Sequence, residues 1–261
     1  MALRRTHGHK TMRNENKWTP TKFCLYNGEL RSSVAKDQVS VGSRFVTELT
    51  AKFYAEEIPR RVSGVVLDLG CGKAPLYAAY KEFASEIICI DWEDTVSSDS
   101  YLDYSADLNE KIPLPDRSVD TIILSDVLEH IFRPASLFSE MYRVLRPGGT
   151  ILCNVPFYYW IHASPHDFHR YTRNALERYC SESGLSLVEL RETGGAIDVM
   201  TDLLAKFCAP IPIMGKWLSR LIQFVWLRCY GTRIWRRAYY KTKDKFPFGY
   251  SFVATRDAEP S

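Results

Sequence analysis

Residues 65–74 decide the fold, and they read Val65-Val66-Leu67-Asp68-Leu69-Gly70-Cys71-Gly72-Lys73-Ala74. A short apolar run of this kind predicts a buried β-strand, and the glycines after it predict a tight turn that a ligand can approach closely. Pro75 stands where a dinucleotide-binding turn with Gly-x-Gly-x-x-Gly spacing would need its third glycine. The stretch therefore predicts a strand followed by a ligand-binding turn of another kind.

Further apolar runs follow this strand, and helical patterns separate them. We predict strands over residues 87–91, 101–108, 120–125, 150–155, 185–191 and 250–255, and helices over 39–58, 75–83, 134–145 and 174–183. Apolar strands that alternate with helices form a mostly parallel sheet that is covered on both faces. We therefore expect an α/β protein with a Rossmann-like, doubly covered sheet.

The composition is that of an ordinary globular protein, with 46% hydrophobic and 25% charged residues among 261. A net charge of only +3 argues against a dedicated nucleic-acid-binding protein. Seven cysteines, without a Cys-x-x-Cys pair, argue against a zinc site or a disulfide framework and favour the cytoplasm. Residues 1–20 are polar and predict a flexible tail without a signal peptide, and no apolar run is long enough to predict a membrane span.

The predicted strand over residues 87–91 ends in Asp91, and Trp92 follows it. Ligands of parallel sheets bind beyond the carboxyl ends of the strands, where an acidic residue can accept the hydroxyls of a ribose. Trp92 can pack on the face of an attached base. The pattern therefore predicts a nucleoside-binding site.

Two longer motifs lie farther along the chain: residues 107–130, DLNEKIPLPDRSVDTIILSDVLEH, and residues 145–150, LRPGGT. Together with the turn at 70–72, they resemble the type 11 methyltransferase domain, a family of class I S-adenosylmethionine-dependent enzymes, over residues 62–192. The resemblance implies a seven-stranded sheet with an antiparallel last strand, and S-adenosylmethionine as the cofactor. Ala74 departs from the family, since many members have a third glycine there.

The family resemblance also implies where the cofactor contacts the chain. An acidic group is expected near its α-ammonium, a carboxylate at the ribose, Asp107 and Leu108 at the adenine, and Ser125 and Asp126 at the methionine end. The predicted cofactor-binding residues are Asp68, Gly70, Cys71, Gly72, Asp91, Trp92, Asp107, Leu108, Ser125 and Asp126.

Methyl transfer to an aliphatic hydroxyl needs a general base, because such hydroxyls are hardly ionised at neutral pH. His130 and His166 follow the two strands expected to flank the methyl donor, and Asp167 can orient an imidazole. We predict His166 with Asp167 as the catalytic pair and keep His130 as the second candidate base. A capping or backbone-bonded role for these side chains stays open.

The loop over residues 154–172 is rich in aromatic and titratable side chains, which predicts an acceptor site. The residues predicted to contact the acceptor are Tyr158, His162, His169 and Arg170. His162, His166, Asp167 and His169 are also metal-ligand types, but Pro165 interrupts any helix that would align them. We therefore predict that no metal is bound.

Residues 193–249 form an insertion before the last strand, with a helix predicted over 216–230. Basic residues beside Trp and Phe over 216–237 are typical of a helix on a membrane surface, which would place the protein at the inner face of a membrane. A lid or a homodimer contact explains them too and is the preferred interpretation. The chain then divides into an N-terminal tail and helical lid (1–60), the cofactor-binding core (61–192), the helical insertion (193–249), and the last strand with its tail (250–261).

The loop over 154–172 also resembles a subset of type 11 enzymes from bacterial glycan, cell-surface polysaccharide and secondary-metabolite pathways. This similarity implies O-methylation of a sugar, glycan or other small-molecule hydroxyl. Two alternatives stay open: C- or N-methylation of a lipophilic ring or amine in quinone or secondary-metabolite biosynthesis, and a non-catalytic partner subunit. The sequence does not choose the acceptor atom.

Overall fold

A seven-stranded sheet forms the centre of the protein in the computed structural model, which describes residues 11–35, 37–40, 43–92 and 101–258. Its strands are β3 (Gly64–Leu69), β4 (Ala84–Asp91), β5 (Tyr104–Ser105), β6 (Val119–Ser125), β7 (Leu145–Pro156), β8 (Ser186–Thr193) and β9 (Gly249–Thr255). They lie in the order β5-β4-β3-β6-β7-β9-β8, and β9 alone runs antiparallel to its neighbours. The expected sheet is confirmed.

Helices cover both faces of this sheet, as the apolar character of its strands predicts. On one face lie α1 (Arg44–Arg61) and the short α2 (Tyr77–Tyr80), and on the other lie α3 (Pro134–Val144) and α4 (Arg173–Ser183). Neighbouring residues of β3 show the alternation: Val66 belongs to the core under α1 and α2, and Leu67 to the core under α3 and α4.

Several predicted boundaries differ from the observed ones. The predicted helix over 75–83 is reduced to α2, because the chain must turn before β4 begins at Ala84. The strand predicted over 101–108 is reduced to the two residues of β5. β7 begins at Leu145, directly after α3, and Leu145 pairs there with Val119 of β6. α1 begins later than expected and continues past Pro59 to Arg61.

The N-terminal segment differs most from expectation. Strands β1 (Phe23–Tyr26) and β2 (Glu29–Ser32) form a hairpin whose turn, Asn27-Gly28, has positive φ at both residues. Met12 is buried, and the Trp18 indole donates a hydrogen bond to the Ala74 carbonyl at 3.1 Å. Residues 11–20 therefore pack on the core rather than form a free tail. Residues 1–10 of that predicted tail, Val41 of the predicted first helix, and 259–261 lie outside the described residues.

The insertion before β9 contains three helices, α5 (Ala196–Cys208), α6 (Gly215–Cys229) and α7 (Arg233–Thr242). α6 matches the predicted helix, whereas α5 and α7 were not expected. Trp226 joins the insertion to α1 by packing on Phe45, with ring centroids 4.5 Å apart. None of the helices in the described ranges has the length and apolar character required to cross a membrane.

Candidate functional site

The turn after β3 has no room for a side chain at its first glycine. Gly70 has a φ of +72°, and a Cβ built there would lie 2.5 Å from Val127 Cγ2. The Gly70 N–H donates to the Ile90 carbonyl at 2.7 Å, which holds the turn against the end of β4. Ala74 has a φ of +47°, so its backbone keeps the conformation for which glycine is suited, at the position where the sequence departs from the family.

Asp91 fastens this turn from the neighbouring strand. Its Oδ2 accepts a hydrogen bond from the Gly72 N–H, and its Oδ1 accepts one from the Trp92 N–H at 2.6 Å. A carboxylate oxygen can accept more than one hydrogen bond, so both oxygens retain capacity for ribose hydroxyls. The geometry fits the ribose contact expected from the sequence, and the structure adds a second role in shaping the turn.

Asp68 is buried under the same turn, with 4% of its surface exposed. Burial raises its pKa to about 7, although the Tyr80 hydroxyl donates to Oδ2 at 2.7 Å and opposes this change. A cationic group nearby would favour the ionised form. Asp68 is therefore suited to the predicted place near an α-ammonium group, with Tyr80 as a partner that the sequence did not reveal.

The residues predicted at the adenine have different environments. Trp92 is 40% exposed and lies edge-on to His166, with ring centroids 4.8 Å apart. Asp107 is exposed and accepts the Asn109 backbone N–H at 2.9 Å, whereas Leu108 is buried in the core. Only Trp92 and Asp107 thus present their side chains at the surface.

Asp126 follows β6 with a φ of +53°, and its carboxylate has two partners. Lys22 forms an ion pair with Oδ2, and Asn154, level with Ser125 in the sheet, donates to Oδ1 at 2.5 Å. Burial acts to lower the pKa of Lys22, but the Asp126 carboxylate outweighs it and the pKa is raised. Lys22 comes from the segment before β1, and no local sequence signal connects it with this site.

A cavity of about 360 Å³ lies beyond the carboxyl ends of β6 and β7, beside the start of α1. Asp126, Asn154, Tyr159 and His162 are among its lining residues. Of the described residues predicted to contact the acceptor, only His162 lines this cavity. Tyr158 packs on Phe157, His169 faces the Phe132 carbonyl, and Arg170 binds Asp167.

Three cavity-lining side chains, Glu129, His130 and His162, form what we call the Glu–His cluster. The two imidazole Nε2 atoms lie 3.8 and 3.7 Å from Glu129 Oε1, longer than a direct hydrogen bond. Glu129 is completely buried, and neither carboxylate oxygen has a hydrogen-bond partner in the described part of the chain. A buried carboxylate of this kind is costly unless something donates to it, which indicates a ligand-binding position.

A hydrogen bond orients His130 in the Glu–His cluster, and burial and neighbouring charges shift the pKa values of His162 and Glu129. His130 donates a hydrogen bond from Nδ1 to the His166 carbonyl at 2.7 Å. The Glu129 carboxylate raises the pKa of His162 despite the opposing effect of burial, and Asp167 adds to the increase. Burial raises the pKa of Glu129, and His162 opposes that increase.

Asp167 pairs with His162, not with His166 as predicted. Asp167 Oδ2 lies 3.3 Å from His162 Nδ1 and accepts the His162 backbone N–H at 2.8 Å. Arg170 holds both oxygens of Asp167 and keeps the pKa of that carboxyl well below its usual value. The loop turns back between residues 162 and 167, so the carboxylate faces the earlier histidine, while His166 is exposed and faces Trp92.

The four metal-ligand residues considered from the sequence do not form a single cluster among the described residues, although Asp167 lies beside His162. Among the described residues, the group that brings together three possible metal ligands is the Glu–His cluster, whose ligand atoms lie within 4.8 Å of one another. Two imidazoles and one carboxylate are a donor set that suits a divalent transition metal. His162 alone is common to both sets, and Glu129 and His130 come from the turn after β6.

Comparison with known proteins agrees with this architecture. Residues 67–153 match the profile of a family described as a methyltransferase domain. A protein of Mycolicibacterium smegmatis named as an S-adenosylmethionine-dependent methyltransferase is 33% identical over 141 residues, which are 50% of this chain and 51% of that protein. The ubiquinone/menaquinone biosynthesis C-methyltransferase of Citrobacter koseri is 26% identical over 165 residues, 56% of this chain and 63% of that protein.

The first of these relatives is matched over about half its length. The structure of an S-adenosylmethionine-dependent methyltransferase from Archaeoglobus fulgidus has a TM-score of 0.54 at 18% identity, over 82% of this chain and 96% of that one. This likeness shows the fold. The matched family and the named relatives imply S-adenosylmethionine as the cofactor.

Proposed function

We propose that this chain, which contains a class I S-adenosylmethionine-dependent methyltransferase domain, methylates a hydroxyl group of a sugar, glycan or other small acceptor. The observation that carries the proposal is the cavity beyond β6 and β7, in which a buried carboxylate without a partner faces two imidazoles. This arrangement can accept a hydroxyl group and remove its proton.

His162 is the general base in this proposal. Asp167 lies beside His162 Nδ1 and orients the imidazole ring, so that His162 Nε2 faces Glu129 and the cavity. The distance of 3.7 Å between His162 Nε2 and Glu129 Oε1 is too long for a direct hydrogen bond, so Nε2 is open to the hydroxyl group of an acceptor. His130 lines the same wall and is the second candidate base.

S-adenosylmethionine, when bound, supplies a methyl group that is open to in-line attack. The chain's own residues hold and deprotonate the nucleophile: His162 accepts the hydroxyl hydrogen bond at Nε2 and takes the proton there as the new bond forms. Transfer of that proton leaves an imidazolium, which the carboxylates of Glu129 and Asp167 stabilise.

A second candidate is methylation of carbon or nitrogen on a lipophilic ring or amine. The relative named as a quinone-biosynthesis C-methyltransferase favours it. A neutral amine needs no strong base to attack a sulfonium methyl group, so the two candidates differ in their dependence on His162. A non-catalytic role fits less well, because the turn, Asp91 and Asp126 are all retained.

The test incubates the purified chain with isotopically labelled S-adenosylmethionine and panels of sugar, phenol and amine acceptors, and identifies the methylated atom by mass spectrometry and NMR. His162→Asn should reduce kcat by about a hundredfold or more, the usual contribution of a general base. The control His169→Asn changes a histidine of the same loop outside the cavity and should retain turnover.

S-adenosylhomocysteine affinity within about twofold of wild type should verify that both variants are folded. Methylation of an amine with full activity in His162→Asn would reject the hydroxyl proposal in favour of the second candidate.

A further inference from the structure

We propose that residues 196–242, called the helical unit, form a docking surface for a membrane that contains anionic lipids. The proposal concerns binding, so it goes beyond methyl transfer and does not depend on the nature of the acceptor. Three observations carry it: the inverted polarity of α5 and α6, the charge of the segment, and its position beside the cavity.

α5 buries polar side chains, together with the smaller Val199, Ala205 and Cys208, and exposes large apolar ones. Asp198 and Asp202 are buried, and Asp198 Oδ1 accepts the indole N–H groups of Trp226 at 2.6 Å and Trp235 at 2.9 Å. The large apolar side chains exposed on the outer side of α5 are Ile197, Met200, Leu203, Leu204 and Phe207. Water drives apolar surface inward, so a helix facing water normally has the opposite arrangement.

α6 has the same inverted arrangement. Ser219 and Gln223 are buried, while its exposed large apolar residues are Trp217, Leu221, Phe224, Val225 and Leu227. The linker between α5 and α6 adds Ile211, Ile213 and Met214 to the exposed set. Side chains of the two helices line one apolar groove, which contains Leu204, Leu221 and Val225. Apolar surface of this extent marks a binding face rather than ordinary protein surface.

The charge of this segment is one-sided. The helical unit contains eight Lys or Arg and two Asp, Asp198 and Asp202, which are both buried, although the whole chain has a net charge of only +3. Lys206 pairs with Asp202. The remaining cations have no carboxylate partner within the described ranges, and they are Lys216, Arg220, Arg228, Arg233, Arg236, Arg237 and Lys241.

Cations beside an exposed apolar face complement anionic headgroups that lie above lipid tails. An isologous contact between two copies of the chain would instead bring two such cationic clusters together, and like charges repel. The observations therefore favour a membrane over a second copy of this chain.

The helical unit also adjoins the cavity. Lys206 Nζ of α5 lies 3.6 Å from the ring centroid of Tyr159, which lines the cavity. The next two residues, Trp160 and Ile161, are exposed. A membrane held by the helical unit would lie beside this loop, so an acceptor anchored in that membrane could reach the cavity while its anchor stays in the lipid.

The test measures co-sedimentation of the full chain with vesicles of phosphatidylcholine alone and of phosphatidylcholine mixed with phosphatidylglycerol. One variant combines Met200→Gln, Phe207→Gln and Phe224→Gln, and another combines Arg233→Gln, Arg236→Gln and Arg237→Gln. The control combines Tyr26→Gln with Arg60→Gln, an exposed aromatic and an exposed cation outside the unit. All substituted residues are exposed, and S-adenosylhomocysteine binding provides a separate check that each variant is folded.

Wild type and the control should partition onto the anionic vesicles at least about tenfold more strongly than onto neutral ones. The partition coefficient of each triple variant on the anionic vesicles should be at least about tenfold lower than that of wild type. Failure of wild type to bind, equal binding to both vesicle types, or unchanged binding by both triple variants would overturn the proposal. Analytical ultracentrifugation that finds a wild-type dimer, made monomeric by the apolar triple variant, would assign the face to a second copy instead.

Discussion

Replacement of Asp91 by alanine is the most direct test of the cofactor site. The Asp91 carboxylate accepts the N–H groups of Gly72 and Trp92 and so ties the turn after β3 to the end of β4. The same oxygens can accept the ribose hydroxyls of the cofactor. Asp91→Ala therefore removes both the predicted ligand contact and the fastening of the turn.

The expected loss of binding free energy for S-adenosylhomocysteine is about 1.5–3 kcal/mol, the contribution of hydrogen bonds to a charged group. At about 1.4 kcal/mol for each factor of ten, Kd should rise roughly 10- to 150-fold. Asp91→Asn keeps the size and one acceptor oxygen but loses the charge, so its Kd should lie between those of wild type and Asp91→Ala.

Isothermal titration calorimetry with S-adenosylhomocysteine and with an analogue lacking both ribose hydroxyls separates the two roles of Asp91. Wild type should prefer the natural ligand, and Asp91→Ala should lose most of this preference. The control Asp116→Ala removes an exposed carboxylate that pairs with Arg143 and should bind like wild type. Wild-type affinity in Asp91→Ala would refute the site, and an equal loss for both ligands would reduce Asp91 to a role in the turn.

Three further predictions concern the turn and the Glu–His cluster. Gly70→Ala should lower the free energy of unfolding by about 2–5 kcal/mol, because alanine is strained at this φ and its Cβ would overlap with Val127. Adding Val127→Ala should recover the part of this loss that comes from the overlap, as measured by urea titration. The kcat/KM should rise with pH as His162 loses its proton, and Glu129→Gln should move this acidic limb to lower pH, because it removes the charge that raises the His162 pKa; an unmoved limb would exclude His162 as the titrating base. Turnover should survive chelation of divalent cations, whereas a loss that zinc or magnesium reverses would make the Glu–His cluster a metal site.

The amino-acid sequence alone was enough to predict the sheet and the turn of the cofactor site. Strands β3, β4, β6 and β7 are buried apolar runs, and a run of this kind is visible without knowledge of its neighbours. Gly70 directly follows β3, and Asp91 is the last residue of β4. The carboxyl ends of parallel strands meet at one edge, so local patterns determined which residues come together there.

The partners within the acceptor cavity depended on tertiary structure. Two histidines precede Asp167 in the sequence, His162 and His166, and only the turn of the loop decides which one it faces. Lys22 reaches Asp126 across more than a hundred residues. These pairings depend on side-chain directions in irregular segments, which have no periodicity that a sequence pattern could reveal.

The helical insertion shows most clearly which features the sequence determines and which only the tertiary structure decides. The sequence of α6 identifies an amphipathic helix with basic residues beside Trp and Phe, and the helix lies close to where it was predicted. Periodicity separates a polar face from an apolar face but does not say which face points inward. That choice is made by buried partners on other helices, such as Asp198 of α5, which accepts hydrogen bonds from Trp226 and Trp235 and so turns the apolar face of α6 outward.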